Sequence, residues 1–246
     1  MKITKSAKEK TKLKILNVAV DLITIKGFDN ASLREIAKEA GVSNPTIYNY
    51  FPTKQKLLYA YIEQKHKEAI EAISKIEGFD NFSFREQLQS LIESELELYL
   101  EDREFVTQIA DMVFSNSGLK INLLYDTNKE FIEVVKEMLE VAIEANEFEP
   151  IPFSEHLPLL LWDYYIMVVS YWLKDDSENF ENTTEFIDHS LALIESILHS
   201  DIISKASTLG SFLFKRHILS SLNKFTSTKS HFDGIKKRLT KVFDNE

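Results

Sequence analysis

The sequence has 246 residues, of which 44% are hydrophobic, and it carries a formal net charge of −10. This length and hydrophobic fraction are typical of a globular chain with a substantial core, and they exclude wholesale disorder. Because the chain contains no cysteine, a disulfide framework and a thiolate zinc site are also excluded, which suits the cytosol.

Helical periodicity runs along almost the whole chain, and it begins with a helix predicted over residues 7–26. Gly27 ends this helix, and a capping box that starts at Ser32 begins a second helix, which Gly41 ends. Ser43 then caps a short third helix. Three short helices with a glycine in the turn between the second and third predict a helix-turn-helix.

The rest of the chain is also predicted to be helical, so the predicted fold class is all-α. Pro52 and Thr53 start a long fourth helix that runs to about Ile76. Further helices are predicted over residues 83–100, 104–115, 120–146, 154–174, 182–200, 207–223 and 229–243. The stretch 157–173 is strongly apolar, but Asp163 in its middle favours a buried helix over a membrane span.

Charge is distributed unevenly along the chain. Residues 1–60 hold 11 Lys and Arg against 5 Asp and Glu, residues 61–204 hold 9 against 31, and residues 205–246 hold 9 against 3. A basic N-terminal unit on an acidic body indicates that the first unit binds a polyanion, although a solvated lysine-rich start would show the same charge.

The third helix carries the most informative pattern. Ile47 and Phe51 are apolar and four residues apart, so both are predicted to face inward. The side chains left for solvent or a partner are Asn44, Pro45, Thr46, Tyr48 and Asn49. An uncharged face on a basic unit indicates insertion into the DNA major groove, because Asn pairs with adenine while Thr and Pro pack on thymine methyl groups. Tyr hydroxyls, and Lys54 in the first turn of the next helix, would bind phosphates.

A dense, ordered set of residues extends this pattern through residues 10–62. It comprises Ile15, Leu16, Leu22, KGF at 26–28, SLREIA at 32–37, AGVS at 40–43, TIY at 46–48, YF at 50–51, Lys54 and LL at 57–58. This set closely resembles the DNA-binding domain of the tetracycline-repressor (TetR) family. The resemblance implies a homodimeric transcriptional regulator, usually a repressor, that a small molecule releases from a palindromic operator.

The resemblance also implies roles for individual residues. Ser32 and Arg34 would contact the DNA backbone or a base at the groove edge. Asn44, Pro45 and Thr46 would lie at base edges, and tyrosines with Lys54 would hold phosphates. The predicted DNA-binding set is Ser32, Arg34, Ser43, Asn44, Pro45, Thr46, Tyr48, Asn49, Tyr50 and Lys54.

Three domains are predicted. Residues 1–53 form the DNA-binding domain, residues 54–204 form a helical domain for effector binding and dimerisation, and residues 205–246 form a basic extension. Phe232, Ile235, Leu239 and Val242 place a basic amphipathic helix in that extension. It is expected to dock on the acidic body, with a membrane surface or additional DNA as the alternatives.

Aromatic side chains in the middle of the chain could line an effector cavity or form an ordinary core. The predicted effector-binding residues are Phe105, Asp111, Phe114, Tyr125, Trp162 and Tyr165. Asp111 and Asp163 lie in apolar stretches, and a buried carboxylate requires a partner. That partner could be a cationic effector, an internal lysine, a tyrosine hydroxyl or a helix end.

The resemblance implies that the helices at 154–174 and 182–200 pair with their twins as a four-helix bundle. Their predicted interface residues are Leu157, Leu160, Leu161, Ile187, Leu191, Ile194 and Leu198, although a monomer could bury these in its own core. A dimer is expected because one short helix contacts few base pairs, whereas two half-sites about 34–36 Å apart, or a multiple of that, give useful specificity.

Two other functions are alternatives to a ligand-released repressor. An enzyme is disfavoured: Glu63 and His66 have the spacing of one di-iron ligand pair, but a di-iron site needs two such pairs, and no P-loop or dinucleotide fingerprint is present. A DNA-binding dimer without an effector, controlled by a protein or membrane partner through the basic tail, stays open. The sequence thus predicts a cytoplasmic regulator without metal, cofactor or membrane span.

Overall fold

The computed structural model describes residues 4–115, 128–152 and 154–213, and every regular element within these ranges is helical. The all-α prediction is therefore confirmed for this part of the chain. The α-helices are α1 (Lys5–Lys26), α2 (Leu33–Glu39), α3 (Asn44–Tyr50), α4 (Lys54–Ile73), α5 (Phe84–Leu100), α6 (Arg103–Ser115), α7 (Lys129–Glu144), α8 (Leu157–Trp172), α9 (Glu181–Leu198) and α10 (Ile202–Leu213). Short 3-10 segments lie at Phe79–Asn81, Ser154–His156 and Glu178–Phe180.

Capping side chains start the first four helices. The side chains of Thr4, Ser32, Ser43 and Thr53 each accept a hydrogen bond from the backbone N–H three residues further on. At Ser32 the capping box is complete, because its own N–H donates to the Glu35 carboxylate at 3.0 Å. These bonds satisfy N–H groups that have no partner within the helix. The predicted starts of α2, α3 and α4 are confirmed.

The first three helices share a small apolar core and form the helix-turn-helix that the sequence predicts. Its fully buried side chains include Ile15, Leu16, Ala19, Ile23, Ile36, Ala37 and Ile47. Gly41 connects α2 to α3 with a φ of +65°, a left-handed conformation that a residue with a Cβ adopts at a cost. The turn therefore sets the direction in which α3 leaves the core.

The helical body pairs α4 with α5 and α7 with α8. Helix α8 buries aromatic and aliphatic side chains together, among them Leu161, Trp162, Tyr165 and Val168. Across the described ranges, each helix is too short or too polar to cross a membrane.

The described residues form two compact units. The first comprises the residues up to 149 together with 154–195, and the second comprises 150–152 with 196–213. In the second unit, α10 begins at Ile202, five residues before the predicted helix at 207–223. The predicted helix at 229–243 and its apolar stripe lie outside the described residues, as does the first part of the helix predicted at 120–146. The boundaries of the three predicted domains stay predictions.

Candidate functional site

Helix α3 separates its side chains into a buried and an exposed set. Ile47 is fully buried and Phe51 is 2% exposed, so the prediction that both face inward is confirmed. The exposed side chains are Asn44, Pro45, Tyr48 and Asn49, while Thr46 and Tyr50 are half-buried. Since buried Ile47 fixes the helix on the core, the exposed face is presented on a rigid support. Its contact with DNA stays a prediction.

Ser43 and Thr46 are hydrogen-bonded to each other at the start of α3. Ser43 Oγ accepts a hydrogen bond from the Thr46 N–H at 3.3 Å and lies 2.7 Å from the Thr46 hydroxyl oxygen. Because the Thr46 hydroxyl is already paired, we expect it to contribute methyl packing rather than a base hydrogen bond. Asn44 is exposed beside this pair.

Helix α2 places Ser32 and Arg34 at the surface, next to an ionic contact that joins it to α1. The Lys26 ammonium donates to the Glu35 carboxylate at 3.1 Å. Three groups together lower the pKa of Glu35 from 4.5 to about 2. The Ser32 backbone N–H has the largest effect, and the Lys26 ammonium and the Ser32 hydroxyl add to it. Glu35 is thus charged at neutral pH and holds the start of α2 against the end of α1.

Acid is expected to weaken this contact. A carboxylate with a depressed pKa stabilises the folded chain above its unfolded pKa, and that stability is lost as the pH falls through about 4.5 toward about 2. Between those values we expect the melting temperature of Glu35→Gln to fall less steeply than that of the wild type. Circular dichroism at low salt measures this, with Glu39→Gln, at the exposed end of the same helix, as control. Parallel slopes for wild type and Glu35→Gln would contradict it.

Lys54 has an internal role that its sequence position did not predict. Its ammonium donates to the carbonyl oxygen of Phe28 and, at 3.3 Å, to that of Asp29, and it lies 4.4 Å from the centre of the Phe28 ring. Lys54 therefore ties the start of α4 to the loop between α1 and α2. Its predicted phosphate contact stays a prediction, and a substitution there would disturb this tie as well.

Lys14 is a candidate DNA-binding residue that the sequence prediction missed. A Cβ built on Gly41 would lie 3.5 Å from the Lys14 ammonium, so this exposed lysine reaches the turn of the helix-turn-helix. In the sequence Lys14 is one of several lysines on α1, and only the packing of α1 against the turn distinguishes it.

The predicted effector residues divide into buried and exposed groups. Phe105, Trp162 and Tyr165 are at most 3% exposed, as a core or a cavity lining requires. Asp111 is exposed, and so is Asp163, so the expectation that these carboxylates are buried and need an internal partner is wrong. Both lie on the water side of their helices, where charge costs little. The Phe114 side chain and Tyr125 lie outside the described part of the chain.

A buried polar cluster lies among these aromatic side chains, and the sequence prediction missed it. His66 on α4 and Glu95 on α5 are both fully buried, with His66 Nδ1 2.7 Å from Glu95 Oε1. The Tyr165 hydroxyl donates to the other carboxylate oxygen and lies 3.3 Å from the Tyr99 hydroxyl. Burial, reinforced by the charge of Glu95, raises the pKa of Tyr165 and of Tyr99, so both phenols stay protonated.

Two further contacts connect α4 and α1 to the α5–α6 region. The Tyr61 hydroxyl donates to Asp102 at 2.9 Å, and the Lys65 ammonium lies 3.1 Å from the same carboxylate. Gln108 on α6 donates to the backbone carbonyl of Thr24 near the end of α1, at 3.1 Å. The helix-turn-helix is therefore held to the helical body through α1 as well as through α4.

Exposed apolar side chains line one stripe on each of α8 and α9. Leu160 is 62% exposed and Met167 50%, and Tyr171 follows on the same side of α8. On α9, Leu193 is 62% exposed and Phe186 is half-buried. The Tyr171 and Phe186 rings stack at 4.8 Å, which joins the two stripes into one surface. We call this surface the α8–α9 face.

Of the seven predicted interface residues, only Leu160 lies on the α8–α9 face. Leu161, Ile187, Leu191 and Leu198 are each at most 6% exposed, so they are core residues of their own chain and cannot offer a surface to a partner. The remaining two, Leu157 and Ile194, are half-buried.

Metal binding finds no support in the described ranges, where no group of three or more His, Cys, Asp or Glu could hold an ion. Glu63 and His66, the pair with di-iron spacing, do not act together, because His66 is bonded to Glu95 instead.

Two family models match the chain. One, described as bacterial regulatory proteins of the tetR family, matches residues 15–61. The other, described as the tetracyclin repressor-like C-terminal domain, matches residues 87–213, more than half of the chain. The chain belongs to the TetR family. This TetR-family protein is therefore a DNA-binding transcriptional regulator, and the prediction of a regulator rather than an enzyme is confirmed.

Two relatives from Bacillus subtilis (strain 168) differ in how much of the chain they match. The HTH-type transcriptional regulator YuxN is 36% identical over 103 residues, which are 41% of this chain and 34% of that protein. The fatty acid metabolism regulator protein is 28% identical over 141 residues, which are 56% of this chain and 70% of that protein. The chain thus spans about a third of YuxN and a larger share of the second relative.

Solved structures share the fold. A TetR-family regulator from Syntrophomonas wolfei superposes with a TM-score of 0.62 and 20% identity, covering 76% of this chain and 96% of that one. The fatty acid degradation regulator FadR from Bacillus halodurans superposes with a TM-score of 0.55 and 20% identity, covering 78% of this chain and 95% of that one. At these identities the likeness shows the fold alone.

Proposed function

We propose that this TetR-family regulator is a repressor that binds a palindromic operator as a homodimer and leaves it when a small hydrophobic ligand binds the helical body. The observation that carries the proposal is the exposed, uncharged face of α3 held on a rigid helix-turn-helix. A reading helix fixed by buried Ile47 presents Asn44 and Asn49 without rearrangement, and amides pair with adenine in the major groove.

Dimerisation is supported by the α8–α9 face. Large exposed apolar side chains on adjacent helices mark an interaction surface, because isolated surface leucines are common but joined stripes are not. A twofold pairing of this face brings two copies of the same surface together, as an isologous interface requires. Two reading helices related by that axis would contact two half-sites of opposite orientation.

The effector proposal rests on the aromatic core and on one relative. Trp162 and Tyr165 pack on Phe131, with ring centres 5.4 and 5.0 Å away, and Phe105 is buried against Tyr61. Aromatic walls with few polar groups are typical of ligand sites. The 141 residues matched by the fatty acid metabolism regulator exceed the 47 of the DNA-binding match, so that similarity extends into the helical body. We therefore propose an acyl compound as the effector, acting in the cytoplasm.

A selection of bound DNA from a random pool tests the repressor proposal directly. We expect a palindromic consensus with half-sites about one helical turn apart or a multiple of it. A consensus without twofold symmetry would contradict the homodimeric arrangement, and recovery of no consensus would contradict sequence-specific binding.

Two substitutions separate base reading from phosphate contact. Asn44→Ala is expected to cost about 1–3 kcal/mol at one base position and to relax specificity there. Lys14→Ala is expected to weaken binding to every sequence equally and to lower the slope of log K against log salt by about one. Fluorescence anisotropy on the selected operator and its single-base variants measures both.

Lys14 is a better phosphate probe than Lys54, because Lys54 also holds the α1–α2 loop. If Asn44→Ala leaves the preferred base unchanged, the assignment of Asn44 to base reading is wrong. If Lys14→Ala changes the consensus and leaves the salt slope unchanged, Lys14 does not act as a phosphate contact.

A further inference from the structure

One arginine on α6 holds the end of α8. Arg103 Nη2 donates hydrogen bonds to the backbone carbonyl oxygens of Trp172 at 3.0 Å, Leu173 at 3.1 Å and Asp175 at 2.8 Å. The last carbonyl groups of a helix have no partner within the helix, and a cation beside them is favoured by the helix dipole. Arg103 therefore satisfies the end of α8 from a different helix.

Asp175 joins the same turn to the start of α9. Its carboxylate accepts hydrogen bonds from the backbone N–H groups of Ser177 and Thr183 at 2.9 and 2.8 Å, and from both hydroxyl groups at 2.6 Å. Because Thr183 lies in the first turn of α9, this carboxylate caps α9, while the carbonyl of the same residue binds Arg103. The end of α8 and the start of α9 are thus both bound to α6.

The backbone between these two helices has an unusual conformation. Asn179 and Phe180 have φ values of +51° and +58°, a left-handed region that a bulky residue such as Phe rarely adopts. The centre of the Phe180 ring lies 5.7 Å from that of Trp172 and 5.0 Å from the guanidinium of Arg103. Such a conformation persists only where its surroundings fix it, so these contacts give the turn one defined shape.

A second residue of α6 binds the helix-turn-helix by the same chemistry. Gln108 donates to the carbonyl oxygen of Thr24 at 3.1 Å. Thr24 lies in the last turn of α1, where backbone carbonyls again have no partner within the helix. Gln108 follows Arg103 by five residues, which is about 7.5 Å of helix. A short, stiff piece of α6 therefore connects the turn between α8 and α9 to α1.

We propose that Arg103 and Gln108 are positioning residues that set the operator spacing which the dimer accepts. This inference rests on the proposed function, because it takes the α8–α9 face as the dimer interface. In that dimer, α6 holds each helix-turn-helix at a fixed distance from the twofold axis. One inserted base pair moves a half-site by about 3.4 Å and turns it by about 35°, which two rigidly held reading helices cannot follow.

Operators of altered spacing test this inference. Anisotropy titrations compare the operator selected from the random pool with versions that have one base pair inserted or removed at the centre. The wild type is expected to bind the altered versions roughly 10-fold or more weakly, because the advantage of two linked binding events, about 10²–10⁴, falls when geometry prevents both. Arg103→Leu is expected to bind all versions within about 3-fold of one another, since loosely held reading helices adapt to either spacing. Its affinity for a single half-site is expected to stay that of the wild type.

A second variant and a matched control accompany Arg103→Leu. Gln108→Ala removes the contact with α1 and leaves the turn between α8 and α9 intact, so it is expected to relax the spacing even if Arg103→Leu fails to fold. Arg85→Leu is the control, because Arg85 binds α9 from α5, with 2.6 Å to Asp188 and 3.3 Å to Glu195. It is expected to keep the wild-type spacing preference. Analytical ultracentrifugation and circular dichroism show which variants are folded dimers.

The outcomes separate this inference from the proposed function. If the folded dimeric variants at Arg103 and Gln108 keep the wild-type spacing preference, α6 does not set the spacing, while the repressor proposal stands. The same holds if the wild type tolerates every spacing, if these variants lose affinity for a single half-site, or if Arg85→Leu relaxes the spacing equally. If the wild type is a monomer or selects a consensus without twofold symmetry, the homodimer proposal and this inference fail together.

Discussion

The double substitution Leu160→Glu with Leu193→Glu is expected to convert the regulator to a monomer and to weaken its binding to a palindromic operator by about 10²–10⁴-fold. The factor is the advantage of two linked binding events over one. Both leucines are 62% exposed on the α8–α9 face. A twofold interface would bury four new carboxylates without partners. Burying these charges costs several kcal/mol, and the apolar contact between the leucines is lost as well. Analytical ultracentrifugation gives the mass, and anisotropy gives the affinity.

The DNA itself provides one control for this prediction. Affinity for a single half-site is expected to stay the same, since the substitutions lie far along the chain from α3. Val141→Glu provides the matched protein control, because Val141 is 55% exposed on α7 and lies outside the two stripes. If the double variant remains a dimer, or if Val141→Glu dissociates the dimer, the α8–α9 face is not the interface.

The helix-turn-helix could be predicted from the sequence because its signals are local. Ser32, Ser43 and Thr53 each act on an N–H three residues away, and Gly41 acts on its own φ. Interactions of this range are visible in a few consecutive letters. The burial of Ile47 could be predicted for the same reason. In a helix of seven residues, few choices exist for the side that faces the core.

The α8–α9 face, which we propose as the dimer interface, could not be predicted, because α8 is apolar on nearly every side. Its sequence LPLLLWDYYIMVVSYW offers no polar stripe to mark the water side, so Leu160 and Leu161 look alike in the sequence. The structure separates them, with Leu160 62% exposed and Leu161 2%. Periodicity identifies a buried face only when the other face is polar. Which surface remains for a partner depends on how the chain packs on itself.

The buried cluster was missed for a related reason. His66 and Glu95 are 29 residues apart, and Tyr165 is a further 70 residues along. In the sequence His66 is notable only for its spacing from Glu63, whereas in the structure it is hydrogen-bonded to Glu95. Asp111 and Asp163 are the more conspicuous carboxylates in the sequence because their neighbours are apolar. A helix surrounded by apolar letters still has a water side, and both carboxylates lie there.

Replacing Glu95 with alanine is expected to cost about 2–6 kcal/mol of unfolding free energy, because each of two buried hydrogen-bonding groups left unpaired costs about 1–3 kcal/mol. The change leaves His66 Nδ1 and the Tyr165 hydroxyl without acceptors in an interior where neither meets water. Since native domains are stable by only about 5–15 kcal/mol, this single substitution approaches the threshold of unfolding. Urea denaturation followed by Trp fluorescence and by circular dichroism gives the free energy.

Glu95→Gln is the matched variant, because its amide oxygen still accepts one of the two hydrogen bonds while the charge is lost. We expect it to cost about 1–3 kcal/mol, the penalty of one buried hydrogen-bonding group left unpaired. Glu97→Ala, at an exposed position two residues further along α5, is expected to change stability by no more than about 0.5 kcal/mol. Should Glu95→Ala unfold at the same urea concentration as Glu97→Ala, the buried cluster would contribute nothing to the stability of the fold.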